Sequence, residues 1–186
     1  MKIEVRKDNM LTYKDEISPF LIRKAEIIDI DIAKRPHRHS YYTILWSFNY
    51  AGYHIVDTQK YPICPQTIWF VAPGDIHCIA PPIPKGIMIQ FVPELFAFKS
   101  INEGFLSRLD LFKSHGQPLS LSKKQVDILM IHITEIILSL QNKRIWYKYS
   151  VDLITFVVER KRLTLRQVNK GNYRTTSPFS AYDLSE

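Results

Sequence analysis

Cysteine is nearly absent. Cys64 and Cys78 occur alone in 186 residues, without C-x-x-C spacing, which excludes a disulfide framework and a thiolate zinc site. No run approaches the ~18 continuous apolar residues of a membrane-spanning helix. The opening Met1-Lys2-Ile3-Glu4-Val5-Arg6 carries charge where a secretion signal needs an apolar core. These absences give the expectation of a cytoplasmic chain with reduced thiols and no membrane partner. Glycine is scarce, with six residues. No G-x-S-x-G, P-loop or Gly-rich dinucleotide fingerprint is present, so the common serine-hydrolase and nucleotide-binding signatures are missing.

What is present suits one globular domain with an appendage: 46% hydrophobic residues, 12% aromatic and eleven prolines. The charge is uneven. Between Asn142 and Arg174 nine Lys or Arg stand against Asp152 and Glu159, which accounts for the entire net charge of +7. Such a stretch is either the solvated face of a terminal helix or an electrostatic footprint for phosphates.

Periodicity divides the chain. Up to about Ser18 it is polar and short of pattern and reads as an arm. Ile28-Asp29-Ile30-Asp31-Ile32 alternates strictly and predicts a half-buried strand, ended by Arg35-Pro36. A strand over 37–48 follows, with Tyr42, Ile44, Trp46 and Phe48 on the face opposite the histidines. That face is too apolar for water and needs a cover from the C-terminal helices. Tyr53 to Val56 returns across a hairpin, and Pro62 demotes Tyr61 to Ile63 to an edge. Thr67 to Val71 reads as a buried strand, and further strands follow at His77 to Ala80 and Gly86 to Phe91. Many short strands separated by turns predict a small barrel or a sandwich. Beyond Pro93 the period becomes 3.6. Ser122-Lys123-Lys124-Gln125 is a capping box, and Val126, Leu129, Met130, Ile133, Ile136, Ile137 and Leu140 form an apolar stripe. A second helix is expected from near Asn142 to Leu163, and from Asn169 the composition is that of a linker.

The chemistry gathers around histidine. His37 and His39 share a strand face, with Cα atoms about 6.6 Å apart. Pro73-Gly74-Asp75-Ile76 turns the chain so that His77 opens another strand. Three imidazoles and water can hold zinc or iron; equally, three imidazoles can be hydrogen-bonded members of a core or pocket rim. His54, His115 and His132 read as isolated, and Cys78 points away from its neighbour His77 on a strand. Tyr41, Trp46, Tyr53, Trp69 and Phe91 offer aromatic walls, and Thr43, Ser47 and Gln90 offer directional hydrogen bonds.

The His37-Arg38-His39 strand followed by Pro73-Gly74-Asp75-Ile76-His77 resembles the paired signature motifs of the cupin barrel. More narrowly, it resembles the sensing domain of AraC/XylS-type bacterial transcription regulators, over Pro36 to Phe91 and more loosely through the helices. The resemblance implies a mainly β fold, a cupin-like jelly-roll (double-stranded β-barrel) followed by an antiparallel pair of α-helices. It divides the chain into an arm (1–18), a ligand-binding barrel (19–98), a helical dimerisation region (99–168) and a linker (169–186). It implies a ligand-sensing and dimerisation module rather than an enzyme. The expected ligand is a small polar effector, such as a sugar or hydroxylated metabolite, held by His37, His39, Tyr41, Thr43, Trp69 and His77. A homodimer is expected through Val126, Leu129, Met130, Ile133 and Ile137. Metal-binding cupins place a carboxylate after three or four residues intervening beyond the second histidine, where this chain has Thr43 and Ile44, so neither a metal nor another cofactor is expected. The alternative is a cupin metalloenzyme using a three-histidine site. Regulators of this family continue into a DNA-binding domain of paired helix-turn-helix units, and 169–186 leaves no room for a recognition helix. The chain is therefore expected to be a piece of a longer regulator or a free-standing sensor, meeting DNA only through a further domain.

Overall fold

The computed structural model describes residues 2–5, 11–14, 20–27, 29–96, 112, 118–139 and 143–169. The linker beyond Asn169, His115 and Leu140 lie outside these residues. Among the described residues, eleven strands and three α-helices follow in order: β1 (Lys2–Val5), β2 (Leu11–Lys14), β3 (Phe20–Lys24), the one-turn α1 (Ile30–Ala33), β4 (His37–His39), β5 (Tyr42–Ser47), β6 (Tyr53–Val56), β7 (Gln59–Pro62), β8 (Thr67–Val71), β9 (His77–Ala80), β10 (Gly86–Phe91), β11 (Leu119–Ser120), α2 (Lys123–Leu138) and α3 (Lys143–Asn169). None of the described helices is long and apolar enough to cross a membrane.

The strands form two sheets. One runs β1-β2-β4-β9-β6-β7 and the other β11-β8-β5-β10-β3. All pairings are antiparallel except that of β2 with β4, which is parallel and sets Leu11, Thr12 and Tyr13 against His37, Arg38 and His39. The segment read as an arm thus extends the first sheet on the flank of β4. The expected strand over 37–48 is broken at Ser40 and Tyr41, so that β4 and β5 lie in different sheets. Such a corner, where the chain changes sheets, brings the strand's two halves onto opposed inner faces.

Two cores result. Leu45, Trp69 and Met88 of the second sheet meet Ile79 of the first, together with Ala25 and Ile63, between the sheets. On the outer face of the second sheet, Ile44, Trp46, Ile68, Phe70, Ile89 and Phe91 pack with Leu129, Ile133 and Ile136 of α2 and Leu153, Ile154, Val157 and Val158 of α3. The helices therefore cover the apolar face of β5, as its sequence required, although Phe48 past the strand end remains exposed. Pro62 closes β7 at the sheet edge, where its missing N–H costs no ladder bond. Ser122 caps α2, its hydroxyl accepting from Gln125 N while the Gln125 side chain returns to Ser122 N.

One expected element differs, and two further features have no local signature in the sequence. The expected strand over Ile28 to Ile32 is not found from Asp29 to Ile32, Ile28 lying outside the described residues: Asp29 accepts a hydrogen bond from Asp31 N and caps α1, because a short carboxylate satisfies the open N–H groups of a first turn better than an edge ladder would. β3 lacks clear alternation and went unread. Its partner β10 defines it, pairing Phe20 with Phe91 and Arg23 with Met88. Lys161, counted with the solvated basic face, is 3% exposed, with its ammonium 4.0 Å from the centre of the Phe70 ring and no hydrogen-bond partner.

Burial drives the Lys161 pKa down to about 7, from an ordinary value of 10.5. A folded pKa below the unfolded one makes the cost largest at or below about pH 7, fading as pH rises toward the ordinary value. Lys161→Met keeps the stem and removes the cation. In denaturant melts at neutral pH it should stabilise the protein by about 1–4 kcal/mol. A loss of stability would instead show that the ammonium is favourable where it lies.

Candidate functional site

β4 presents His37 and His39 to the same side, and the antiparallel register sets His37 opposite His77 of β9. On the other flank of β9, His77 pairs with Val56, so His54, two residues earlier on β6, shares that face. All four imidazoles are buried on the inner face of the first sheet. The sequence reading left His54 isolated. Its signal was the period-two relation between His54 and Val56, which becomes legible only once β6 is paired with β9.

The hydrogen bonds assign the protons. His37 Nδ1 donates to the Arg35 carbonyl at 2.9 Å and His39 Nδ1 to that of Tyr41 at 2.7 Å. A neutral imidazole whose Nδ1 carries the proton has a lone pair at Nε2. His39 Nε2 accordingly accepts from His77 Nε2 at 3.1 Å, with the Thr43 hydroxyl at 3.3 Å. His77 Nδ1 then accepts from His54 Nε2 at 3.2 Å, leaving His54 Nδ1 buried without a partner. The chain His54 to His77 to His39 runs in one direction, which requires His77 and His39 each to keep one bare nitrogen and so to be neutral. Burial enforces this: it holds His39 and His54 down at about 3 and depresses His37 and His77.

The second sheet supplies the opposing wall. Thr43 is buried beneath His39, and Tyr41 stacks on the His39 ring with centroids 4.2 Å apart and planes 1° from parallel. Trp69 is fully buried and meets His54 edge-on at 6.1 Å. Gln90 pairs with Thr43 across β10 and β5 and so looks inward as well. The Trp69 indole N–H and the Gln90 carboxamide oxygen are buried without partners, like His54 Nδ1. All six expected ligand residues thus converge between the sheets, and His54 and Gln90 join them. The core residues Leu45, Ile79 and Met88 fill the apolar remainder.

The Nε2 atoms of His39 and His77 lie 3.1 Å apart, with the Thr43 hydroxyl 3.3 Å from the former. Among the described residues, no group of three or more His, Cys, Asp or Glu is disposed to hold a metal ion. A cleft of about 330 Å³ lies elsewhere, bounded by Tyr50, Tyr53, Pro62, Cys64, Gln66 and Ser120. None of the six expected ligand residues lines it.

Of the residues expected at a self-association surface, Leu129 and Ile133 are consumed by the core and Val126 is half-buried against it. Met130 and Ile137 are exposed, and Ile131 and Leu138 join them on an outward strip of α2. The correction follows from helical phase: the stripe read from the sequence is wider than one contact face, and the sheet takes its centre.

The neutral cluster predicts acid sensitivity. Folded pKa values lie below the unfolded value near 6.5, so its stabilisation is complete above about pH 6.5 and is lost as pH falls toward about 3. At about pH 5 the loss is about 2 kcal/mol for each of His39 and His54. Thermal melts should show Tm falling between about pH 7 and about pH 5, and falling less in His54→Gln. A flat profile would contradict a neutral buried cluster.

No protein-family model matches the chain. No curated protein matches it either. The chain is similar to solved structures, among them the crystal structure of the AraC-like transcriptional activator CuxR. That match has a TM-score of 0.44 and 12% sequence identity. It covers 77% of this chain and 49% of that one, so the chain spans about half the length of the activator it is similar to.

Proposed function

We propose that this chain is the ligand-sensing and dimerisation domain of an AraC-type transcription regulator, and that it binds a small polar effector between its two sheets. In this reading the sheets are the halves of a cupin-like jelly roll, the chain is not an enzyme, and DNA is met by another part of a longer protein. One observation carries the reading. The inner faces of the sheets hold four neutral imidazoles, and the buried polar atoms His54 Nδ1, Trp69 Nε1 and Gln90 Oε1 have no partner among the described residues. Unserved polar groups in a core cost about 1–3 kcal/mol each, so apolar packing gives no reason for them. A hydroxylated ligand offers donors to His54 and Gln90 and an acceptor to Trp69.

A thermal-shift screen of sugars and polyols tests this on the wild type and on a His37→Ala, His77→Ala double variant. A true effector should stabilise the wild type and lose roughly ten- to a hundredfold in affinity on the variant. A compound that stabilises both equally binds elsewhere, and the assignment fails.

The self-association face is proposed as Met130, Ile131, Ile137 and Leu138, with a second copy of the chain as its partner. Leu138 is 80% exposed, so Leu138→Glu should leave folding within about 0.5 kcal/mol of wild type while converting dimer to monomer. Sedimentation of the wild type as a monomer at tens of micromolar, an order-of-magnitude choice for a modest interface, would sink the proposal.

A further inference from the structure

The cleft of about 330 Å³ lies between Pro62 at the end of β7 and Ser120 of β11, each on an edge strand of its sheet. Backbone bonds fix its walls. Ala51 N–H donates to the Ile63 carbonyl at 3.1 Å and Ile63 N–H to the Gly52 carbonyl at 3.0 Å, which seats the 50–53 loop on the 62–67 segment. Gly52 admits no side chain there, because a Cβ would lie 1.8 Å from the Ala80 carbonyl oxygen. The Ser47 hydroxyl donates to the Cys64 carbonyl, and Gln66 N–H donates to the Ser47 carbonyl at 2.9 Å. Leu121 N–H donates to the Gln66 carbonyl at 2.8 Å and brings β11 alongside. The cleft is thus formed in advance of any occupant, and its volume lies within the range of about 300–1,000 Å³ usual for small-ligand sites.

Two of its side chains have no local reason to be there. Gln66 stands at φ 55, a state that glycine or asparagine adopts more readily, and such strain gathers at ligand sites. Gln66 is exposed, and its carboxamide makes no hydrogen bond among the described residues. Tyr50 is 67% exposed, on a loop whose bonds hold it beside the cleft. Tyr53 lines the cleft too, with the Lys60 ammonium 3.9 Å from its ring centre. No Asp, Glu, Lys, Arg or His is among the lining residues, and burial pushes the Cys64 thiol up, which keeps it uncharged at neutral pH. Two phenol rings and two prolines suit a flat apolar ring. A carboxamide presents a donor beside an acceptor, so its complement is an N–H beside a C=O.

We propose that this cleft is a second binding site, for an uncharged planar aromatic compound with an N–H and a C=O on one edge, such as an aromatic lactam or carboxamide. Tyr50 and Tyr53 receive the ring, and the Gln66 carboxamide pairs with the polar edge. The effector reading above is independent of this one, because none of the residues proposed to hold the effector lines the cleft.

The test is a titration of the full chain with isoquinolin-1-one, followed by amide NMR shifts. A neutral ligand of this size should bind with a Kd on the order of a millimolar or tighter. Shifts should centre on 50–53, 62–67 and Ser120 and spare His37, His39 and His77. The N-methyl lactam keeps the rings and loses the donor, and should bind about tenfold more weakly. Gln66→Gly keeps the turn, since glycine takes that φ freely, and should weaken the lactam by about tenfold as well. Gln66→Asn, which tolerates the same φ with a shorter reach, replaces it if that variant lacks a folded amide spectrum. Tyr50→Ala should weaken the lactam about threefold or more. A lactam that shifts no cleft amide at about 5 mM overturns the proposal, as does unchanged affinity in the Gln66 variant. So does tighter binding of naphthalene-1-carboxylate than of the lactam, which would make the Lys60 charge the attraction.

Discussion

The structure depends on keeping four imidazoles neutral in the space between two sheets. An extra proton on His39 or His77 would occupy the nitrogen through which that ring accepts, and burial opposes the charge on all four. This constraint explains the surroundings. The carbonyls of Arg35 and Tyr41 fix the Nδ1 protons, and Thr43 stands beneath the Nε2 of His39. The corner at Ser40 and Tyr41 lets β4 and β5 present residues to each other rather than side by side.

The second sheet works on both faces. Inward, Thr43, Leu45, Trp69 and Gln90 oppose the histidines. Outward, Ile44, Trp46, Ile68 and Phe70 hold the helix pair. Strict alternation along β5 and β8 therefore connects the candidate site to the helices across a single sheet thickness. The helices spend the centre of their apolar stripe on that sheet. What remains outside, Met130, Ile131, Ile137 and Leu138, is a strip that water serves poorly.

Polar groups in the interior mark where packing serves something other than stability. Among the described residues, Trp69 Nε1, Gln90 Oε1 and His54 Nδ1 are unpartnered on the inner faces, and Trp46 Nε1 and Lys161 Nζ on the outer one. Leucine, methionine or phenylalanine would fill comparable volume without the desolvation cost.

The sequence by itself determined whatever rests on near neighbours. Ser122 and Gln125 fixed the start of α2, Pro62 fixed an edge, Thr67 to Val71 announced a buried strand, and the pairs His37 with His39 and Gly74 with His77 announced the site. These signals come from backbone geometry within a few residues, which local composition encodes. Only the tertiary structure decided the rest. Whether Asp29 would cap a helix or join a strand hung on competition between a local hydrogen bond and a ladder partner. His54 entered the cluster because β6 lies beside β9, and Lys161 turned inward because α3 covers Phe70. Pairing between segments distant in sequence has no local signature: the same alternation fits either register until a partner strand or a covering helix selects one face.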